Sequence, residues 1–474
     1  MQKGSVLDST KHCAPPLTAK LAPWMKDLLL RADHVSDLLD TYGAPLHVVV
    51  ESEFQRNVND FVAAMKARNL QGMVFFARKA NKLPFFVNAA NKAGIGVDTA
   101  SLPELEETLS LGLPPQRVIT TAIGKNQKLI SRAVASSAWI VIDNSDELDI
   151  VRSVARDQNK VANIALRFSG FQVAGKSVSS RFGFHVSEFN DLMEVVVSDP
   201  LLNLKILHAH LDRYDLLERA AAVRKLISFA DQAKALGQKI ESIDIGGGVL
   251  MRYLDSEAEW TTFQSCLVDS VKGTYPSFTY RGDGLGYIRT NNDELIGHAD
   301  LYPAYNKISK ERFVSAILDN ADSGTPLHKE LSDRGLNLFF EPGRALLDNC
   351  GVTFSEVTFR KRDTEGNLLV GLDMNRTNLR PFRAEFCCDP LFIHKGDREV
   401  SSEGAFLVGN LCSESDLIYR RRINLKKMPL PGDIICFPNT AGYLAHHMEI
   451  GTHGGPLPKN LLIDPSTWDV TGVG

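Results

Sequence analysis

From residue 44 to about residue 344 the chain alternates short apolar, β-rich runs with amphipathic segments of helical period, and no other feature narrows the choice of fold so far. The runs are PLHVVV, GMVFFARKA, GIGVDTA, RVITTA, AWIVIDN, NIALRF, LKILHAHL, KIESIDIGGG and LNLFFEPG. Between them lie stretches such as FQRNVNDFVAAMKA, LPELEETLSLG and LLERAAAVRKLISFADQAKALG. Strand and helix in repeated succession predict a parallel sheet with helical crossovers. With the first run set aside as a leading strand, about eight remain, which favours a closed (β/α)8 TIM-like barrel over an open doubly wound sheet.

After Arg344 the helical period fades, and VTFSEVTFRKR, NLLVGLDM, AFLVGN, DLIYRRRINL and DIICFPN read as strands between Gly, Asp and Pro turns. A chain of 474 residues also exceeds what one core usually supports. The predicted organisation is an N-terminal arm and strand over 1–50 joining the β domain, a barrel over 51–344, and a mainly β C-terminal domain over 345–474. A long insert at about 255–330 interrupts the barrel, and such inserts often wall or cover a site.

Net charge is −4 with acids and bases interspersed, and RRR at 420–422 is one short run on that background, so neither nucleic acid nor an anionic membrane is an expected partner. Seven scattered cysteines fit a reducing compartment better than a disulfide framework. MQKGSVLDSTKHCAPPL has no apolar centre and LAPWMKDLLL is broken by Lys26 and Asp27, so neither a signal peptide nor a membrane span is expected. The expectation is a cytoplasmic protein acting on a small soluble molecule.

In a barrel, residues following the strands' C-terminal ends share the face where such folds carry chemistry. The endings here are ARK79, VD98TAS, GK125, R167F, H208AH210, GGG248 and E341PGR344. Taken singly, Asp98 before TAS reads as a helix cap and His210 as a hydrogen-bonded core histidine. The triple glycine lacks the Lys-Ser/Thr of a Walker loop, and GDGLG at 282–286 follows no convincing strand. His446–His447 and Cys387–Cys388 lack the spacing of a closed metal site and read as structural; no metal is expected. Taken together, glycine amides and Arg344 suit a phosphate, Lys79 suits a carbonyl, and Glu341 suits a pyridine nitrogen. That combination points to pyridoxal phosphate.

The chain resembles the fold-type III pyridoxal-phosphate decarboxylases, the group that includes ornithine, arginine and diaminopimelate decarboxylases, from roughly residue 44 to 450. FFARKANK resembles Y-A-V-K-A-N, GVDTASLPE resembles G-F-D-x-A-S-x-x-E, and SRFGF resembles S-K-F-G. IDIGGG and EPGR match outright, VGNLCSESD resembles G-P-x-C-x-x-x-D, NTAGYL resembles N-x-G-A-Y, and LDMNRTNLRP resembles D-x-x-x-x-x-L-R-P. The resemblance implies that Lys79 forms the Schiff base, His210 stacks on the cofactor ring, Gly246, Gly247, Gly248, Arg344 and Tyr443 hold the phosphate, and Glu341 faces the ring nitrogen. It further implies that Arg167 balances the acids near the Schiff base together with Asp98, that Cys412 delivers a proton to Cα, and that Arg380 receives a substrate carboxylate. Ser413, Glu414 and Asp416 are carried over as substrate-side residues.

Three departures stand out. The histidine motif continues L-D-R, with Asp212 and Arg213, instead of I-G-S; Ser413 and Glu414 replace the acid directly after the cysteine; and Ala384 replaces the tyrosine of R-P-x-x-Y. The activity implied is decarboxylation of an amino acid or amino-acid conjugate with release of carbon dioxide and an amine. The resemblance also implies a homodimer whose β domain closes its partner's barrel. The alternatives are a racemase on the same barrel, against which Glu341 argues, a non-catalytic carrier of the cofactor, against which the β domain argues, and a decarboxylase of a carrier-tethered or siderophore-precursor amino acid.

Overall fold

The computed structural model describes residues 14–380, 385–455 and 457–474, so Ala384 lies outside the described residues. The chain divides into two compact units: Ser52–Leu250 with Ile308–Leu347, and the described residues up to Glu51 with Met251–Lys307 and Asp348–Gly474.

The first unit is a closed barrel. Its eight strands are Gly72–Ala77, Gly96–Thr99, Val118–Thr120, Trp139–Ile142, Ala162–Ser169, Leu202–Ala209, Ser242–Asp244 and Asn337–Phe340. Each pairs in parallel with the next, and Asn337–Phe340 pairs with Gly72–Ala77 to close the ring. Helices follow most strands, and several begin where a side chain satisfies free backbone amides: Ser101, Asn126, Asn144 and Asp215 cap the helices starting at Leu102, Gln127, Ser145 and Leu216. Asp98 is therefore not the cap, as it lies within a strand and Ser101 takes that role.

Inside the ring, Phe75, Ile119, Val141, Ala165 and Ile206 from five strands form one buried cluster, with Met73, Trp139 and Phe339 against it. Gly96, opposite Phe75 in register, leaves room for that ring: a Cβ there would lie 2.3 Å from a Phe75 carbon.

The second unit is mainly β. Leu46–Val49 lies between Gly351–Arg362, antiparallel, and Lys459–Ile463, parallel. Leu368–Leu372, Gly404–Val408 and Ile434–Pro438 extend the sheet. Residues 251–307 of the insert belong to this unit, whereas helices Glu311–Leu318 and Leu327–Ser332 belong to the barrel. The insert is bonded along the arginine run, with Tyr280 N donating to Arg420 O at 2.8 Å and Arg422 N to Phe278 O at 2.9 Å. Arg421 of that run is buried and donates to Asp389 at 2.6 Å. Among the described residues no helix is long and apolar enough to cross a membrane.

Phe75→Ala should lower barrel stability by about 3–5 kcal/mol, because it empties the centre of a packed interior; a denaturant titration followed by far-ultraviolet circular dichroism measures the shift.

Candidate active site

Side chains along a strand alternate faces, so residues two apart share one. Continuing the inward positions of the apolar cluster toward the C-terminal ends gives a second ring: Gly96 leads to Asp98, Ile119 to Thr121, Val141 to Asp143, Ala165 to Arg167, Ile206 to His208 and His210, and Phe339 to Glu341. Asp244 ends its strand paired in register with His208 on one side and Phe339 on the other. The same register that fills the barrel with hydrocarbon thus ends in polar groups, most of them buried and so requiring partners.

Lys79 leaves the alternation through the short 3₁₀ turn Arg78–Ala80 that follows Gly72–Ala77. Its side chain is 40% exposed, and its Nζ lies 3.4 Å from Asp98 Oδ2. Asp98 is buried, and Thr121 Oγ1 donates to its Oδ1 at 2.6 Å. Burial pushes the Asp98 carboxyl up to about 6 against the opposing pull of Lys79. Next to Lys79, Arg78 points the other way: buried, it is ion-paired with Glu107 and donates to Glu104 O at 2.9 Å, which locks the turn onto the following helix.

Arg167 is tied to Asp143 rather than to Asp98, with Nε donating to Asp143 Oδ1 at 2.6 Å. That oxygen also accepts from Gly183 N at 2.8 Å, which anchors the SRFGF segment. Phe182 of the segment lies with its ring centroid 5.3 Å from the Arg167 guanidinium and 6.2 Å from the His210 ring. Lys125 faces none of these groups freely. It is fully buried against Glu147 at 2.8 Å, and Glu147 also accepts from the amides of Lys125 and Asp143 at 3.0 Å. This pair holds the loop that presents Asp143.

The floor is made of His208, Asp244 and Glu341, all buried, with ligand atoms within 4.8 Å of one another. His208 Nε2 is 3.3 Å from Glu341 Oε1 without hydrogen-bond alignment, and Asp244 Oδ2 has no partner among the described residues. Burial holds His208 well below the usual histidine range, and burial with the neighbouring Glu341 pushes Asp244 well above the usual carboxylate range.

Beyond Asp244 comes the triple glycine. Gly246 (φ 65°) and Gly248 (φ 72°) are left-handed, and a Cβ on Gly247 would lie 2.7 Å from the Glu341 carbonyl oxygen. His210 Nδ1 accepts from Gly247 N at 3.3 Å, so this nitrogen carries no proton; burial and then the Lys79 ammonium keep the imidazole neutral. Arg219, on helix Leu216–Ala235, is buried and donates to Gly247 O at 2.9 Å and Leu211 O at 2.8 Å. It braces the glycine turn against the segment where Asp212 and Arg213 replace the family's glycine and serine. Arg344 follows Asn337–Phe340 on the 3₁₀ turn Arg344–Leu347.

Lys79, Asp98, Arg167, His210, Gly246, Gly247, Gly248, Glu341 and Arg344 all lie in the barrel unit. Tyr443, Arg380, Cys412, Ser413, Glu414 and Asp416 belong to the other unit. Cys412, Ser413 and Glu414 are exposed there. Both Asp416 oxygens accept from backbone amides, from Arg376 and Leu411 at 2.8 Å each, which shapes the cysteine loop. Sequence reasoning passed over Thr121, Asp143, Asp244 and Arg219, and gave His208 no role. Thr121, Asp143 and His208, on or just after strands, were open to counting by two from the apolar core; Asp244 and Arg219 carried no such signal.

Residues 51–278 match the family described as pyridoxal-dependent decarboxylase, pyridoxal binding domain. The chain is 25% identical over 460 residues, 95% of its length, to 94% of the uncharacterized protein y4yA of Sinorhizobium fredii. It is 24% identical over 457 residues to the diaminopimelate decarboxylase of Vibrio cholerae, covering 93% of each chain. The crystal structure of diaminopimelate decarboxylase from M. jannaschii in co-complex with L-lysine shares the fold, with a TM-score of 0.69 and 19% identity over 93% of this chain and 90% of that one. Residues 51–278 thus match the pyridoxal binding domain of the pyridoxal-dependent decarboxylases, and similarity to a diaminopimelate decarboxylase runs along nearly the whole chain.

The residues present in this barrel fit the cofactor of the matching family. Gly246 to Gly248 form a cradle that side chains would fill, and the floor beside it carries buried, unpartnered polar atoms suited to a ring nitrogen. Arg219→Met should loosen the cradle: removing a buried cation that holds two carbonyls is expected to cost about 3 kcal/mol or more of local stability. An equilibrium titration with pyridoxal phosphate, followed by absorbance, should show affinity reduced at least about tenfold.

Proposed function

We propose that the protein is a decarboxylase acting on the α-carboxyl group of an amino acid at the barrel mouth, with pyridoxal phosphate attached to Lys79. The observation that carries this reading is the convergence of Lys79, Asp98, the glycine cradle and Glu341 in one mouth from separate strands. When bound, pyridoxal phosphate supplies the electron sink that lets a carboxylate depart as carbon dioxide.

The chain's own residues supply the rest. The amides of Gly246, Gly247 and Gly248 with Arg344 would bind the phosphate, and Glu341 would hold the proton on the ring nitrogen. Neutral His210 would stand beside the ring without adding a charge that competes with Lys79. Asp98, titrating near 6, is largely ionised at neutral pH and keeps Lys79 Nζ oriented. Asp143 holds Arg167 away from Asp98, so the Lys79 ammonium is the cation directly on that carboxylate.

Cys412, contributed with Asp416 by a partner subunit in a homodimer with shared sites, is assigned proton delivery to Cα; Arg380 is assigned the substrate carboxylate and Tyr443 a phosphate contact. Glu414, the acid nearest the place where the family receives a distal amine, is paired with Arg281 of the insert at 3.3 Å. That pairing supports a substrate whose far end does not need a free carboxylate at this point.

Lys79→Ala should abolish the visible absorbance of the holoenzyme, and borohydride treatment should fix cofactor mass on the peptide carrying Lys79 in the wild type alone; an unchanged spectrum in the variant rejects the attachment. Arg281→Ala should free Glu414 and raise kcat/KM for lysine, up to about fivefold for an exposed pair, as read by carbon dioxide release across a panel of amino acids.

A further inference from the structure

The buried floor holds two carboxyls and an imidazole whose nearest atoms face one another with few hydrogen bonds to settle their charges. Asp244 Oδ1 accepts from Gly246 N at 2.8 Å, while Oδ2 is unpartnered among the described residues. Both His208 nitrogens and Glu341 Oε1 are likewise without an aligned partner there. Two ionised carboxylates cannot share so small a dry space without a cation or a proton between them.

We propose that Asp244 is a positioning residue that sets the charge of Glu341: it carries the proton of the floor on Oδ2, so that Glu341 is the single anion beneath the cofactor site. The inference rests on the reading that Glu341 faces the ring nitrogen, and adds what keeps it ionised. The surrounding charges decide which carboxyl keeps the proton. Burial raises the Glu341 carboxyl and the acids Asp98 and Asp244 face it, but two cations, Lys79 and Arg167, pull the other way. Asp244 faces two acids, Glu341 and Asp98, against the single cation Arg167. His208 lies in the field of Arg167 and Lys79, opposed by Asp98 and Asp143, and its burial leaves it neutral. It therefore cannot serve as the counter-ion, although its Nε2 is 3.3 Å from Glu341. A neutral carboxyl remains as the hydrogen-bond donor available to the floor, and Oδ2 is the oxygen free to hold its proton.

Glycine geometry connects this proton to the phosphate end. Asp244 Oδ1 fixes the Gly246 amide, and Gly246 O accepts from Glu341 N at 2.9 Å. The acid, the turn and Glu341 thus move as one unit, and a charge appearing on Asp244 would act on all three.

The test is the pH dependence of thermal unfolding in the full chain freed of cofactor. A carboxyl whose folded pKa is raised contributes stability present below its unfolded pKa of about 3.9 and lost as pH rises through the folded value. The wild-type midpoint should therefore fall as pH rises above about 4. Asp244→Asn, permanently neutral at the same size, should remove the part of that fall due to this group. Glu341→Gln, which removes the neighbouring charge, should make the fall smaller and end it at lower pH.

Superimposable curves for wild type and Asp244→Asn would overturn the proposal. So would stoichiometric binding of zinc by the wild-type chain that both substitutions abolish, since a metal ion and not a proton would then neutralise the floor. If Asp244→Asn does not fold, Glu341→Gln decides alone, and an unshifted curve overturns the idea. These readouts need no cofactor, so they fail or succeed separately from the Lys79 attachment, which the borohydride experiment addresses.

Discussion

Everything in the barrel depends on the cost of burying charge at the end of an apolar plug. The inward register that stacks Phe75, Ile119, Val141, Ala165 and Ile206 leaves the next inward positions buried. Those positions hold Asp98, Asp143, Arg167, His208 and Glu341; the first three are met by side chains from other strands or strand ends, whereas both His208 nitrogens and Glu341 Oε1 have no aligned partner among the described residues. Asp98 is met by Thr121 and Lys79, and Arg167 by Asp143. The ring of polar contacts is a consequence of closure: in an open sheet the partners on distant strands would not face one another.

The pairings also separate the cations by task. Arg78, Lys125 and Arg219 are buried and tied to Glu107, Glu147 and backbone carbonyls, and they hold loops in place. Lys79 alone of this group keeps a half-exposed side chain with a longer contact to its acid. A lysine that must change partners during a reaction needs that looseness, whereas the bracing cations would cost several kcal/mol to release. The L-D-R departure belongs to the same logic, because the backbone of Leu211 and Arg213 receives Arg219.

In the β unit, loop shape takes precedence over free charge. Asp416 turns both oxygens to amides and so sets the course of residues 409–416, leaving Cys412 exposed at the loop's surface. The insert adds itself to the arginine run by backbone hydrogen bonds, which brings Arg281 to Glu414. An acid that is unpaired in the sequence is thereby paired in the fold.

Alternation of strand and helix period, read along the chain, was enough to determine the parallel barrel, the mainly β remainder and the places where Lys79, Asp98, His210, Glu341 and the triple glycine fall. These are local properties: a period of two or of 3.6, a glycine forced by a left-handed turn, a charged residue at a strand's end. What only the tertiary structure decided was partnership. That Arg167 takes Asp143 and not Asp98, that Lys125 is consumed by Glu147, that Asp244 and His208 join Glu341 on one floor, and that Arg219 braces Gly247 all depend on distances between strands and helices far apart in sequence. A strand's own pattern says which face a residue is on. Closing the ring determines who stands across from it.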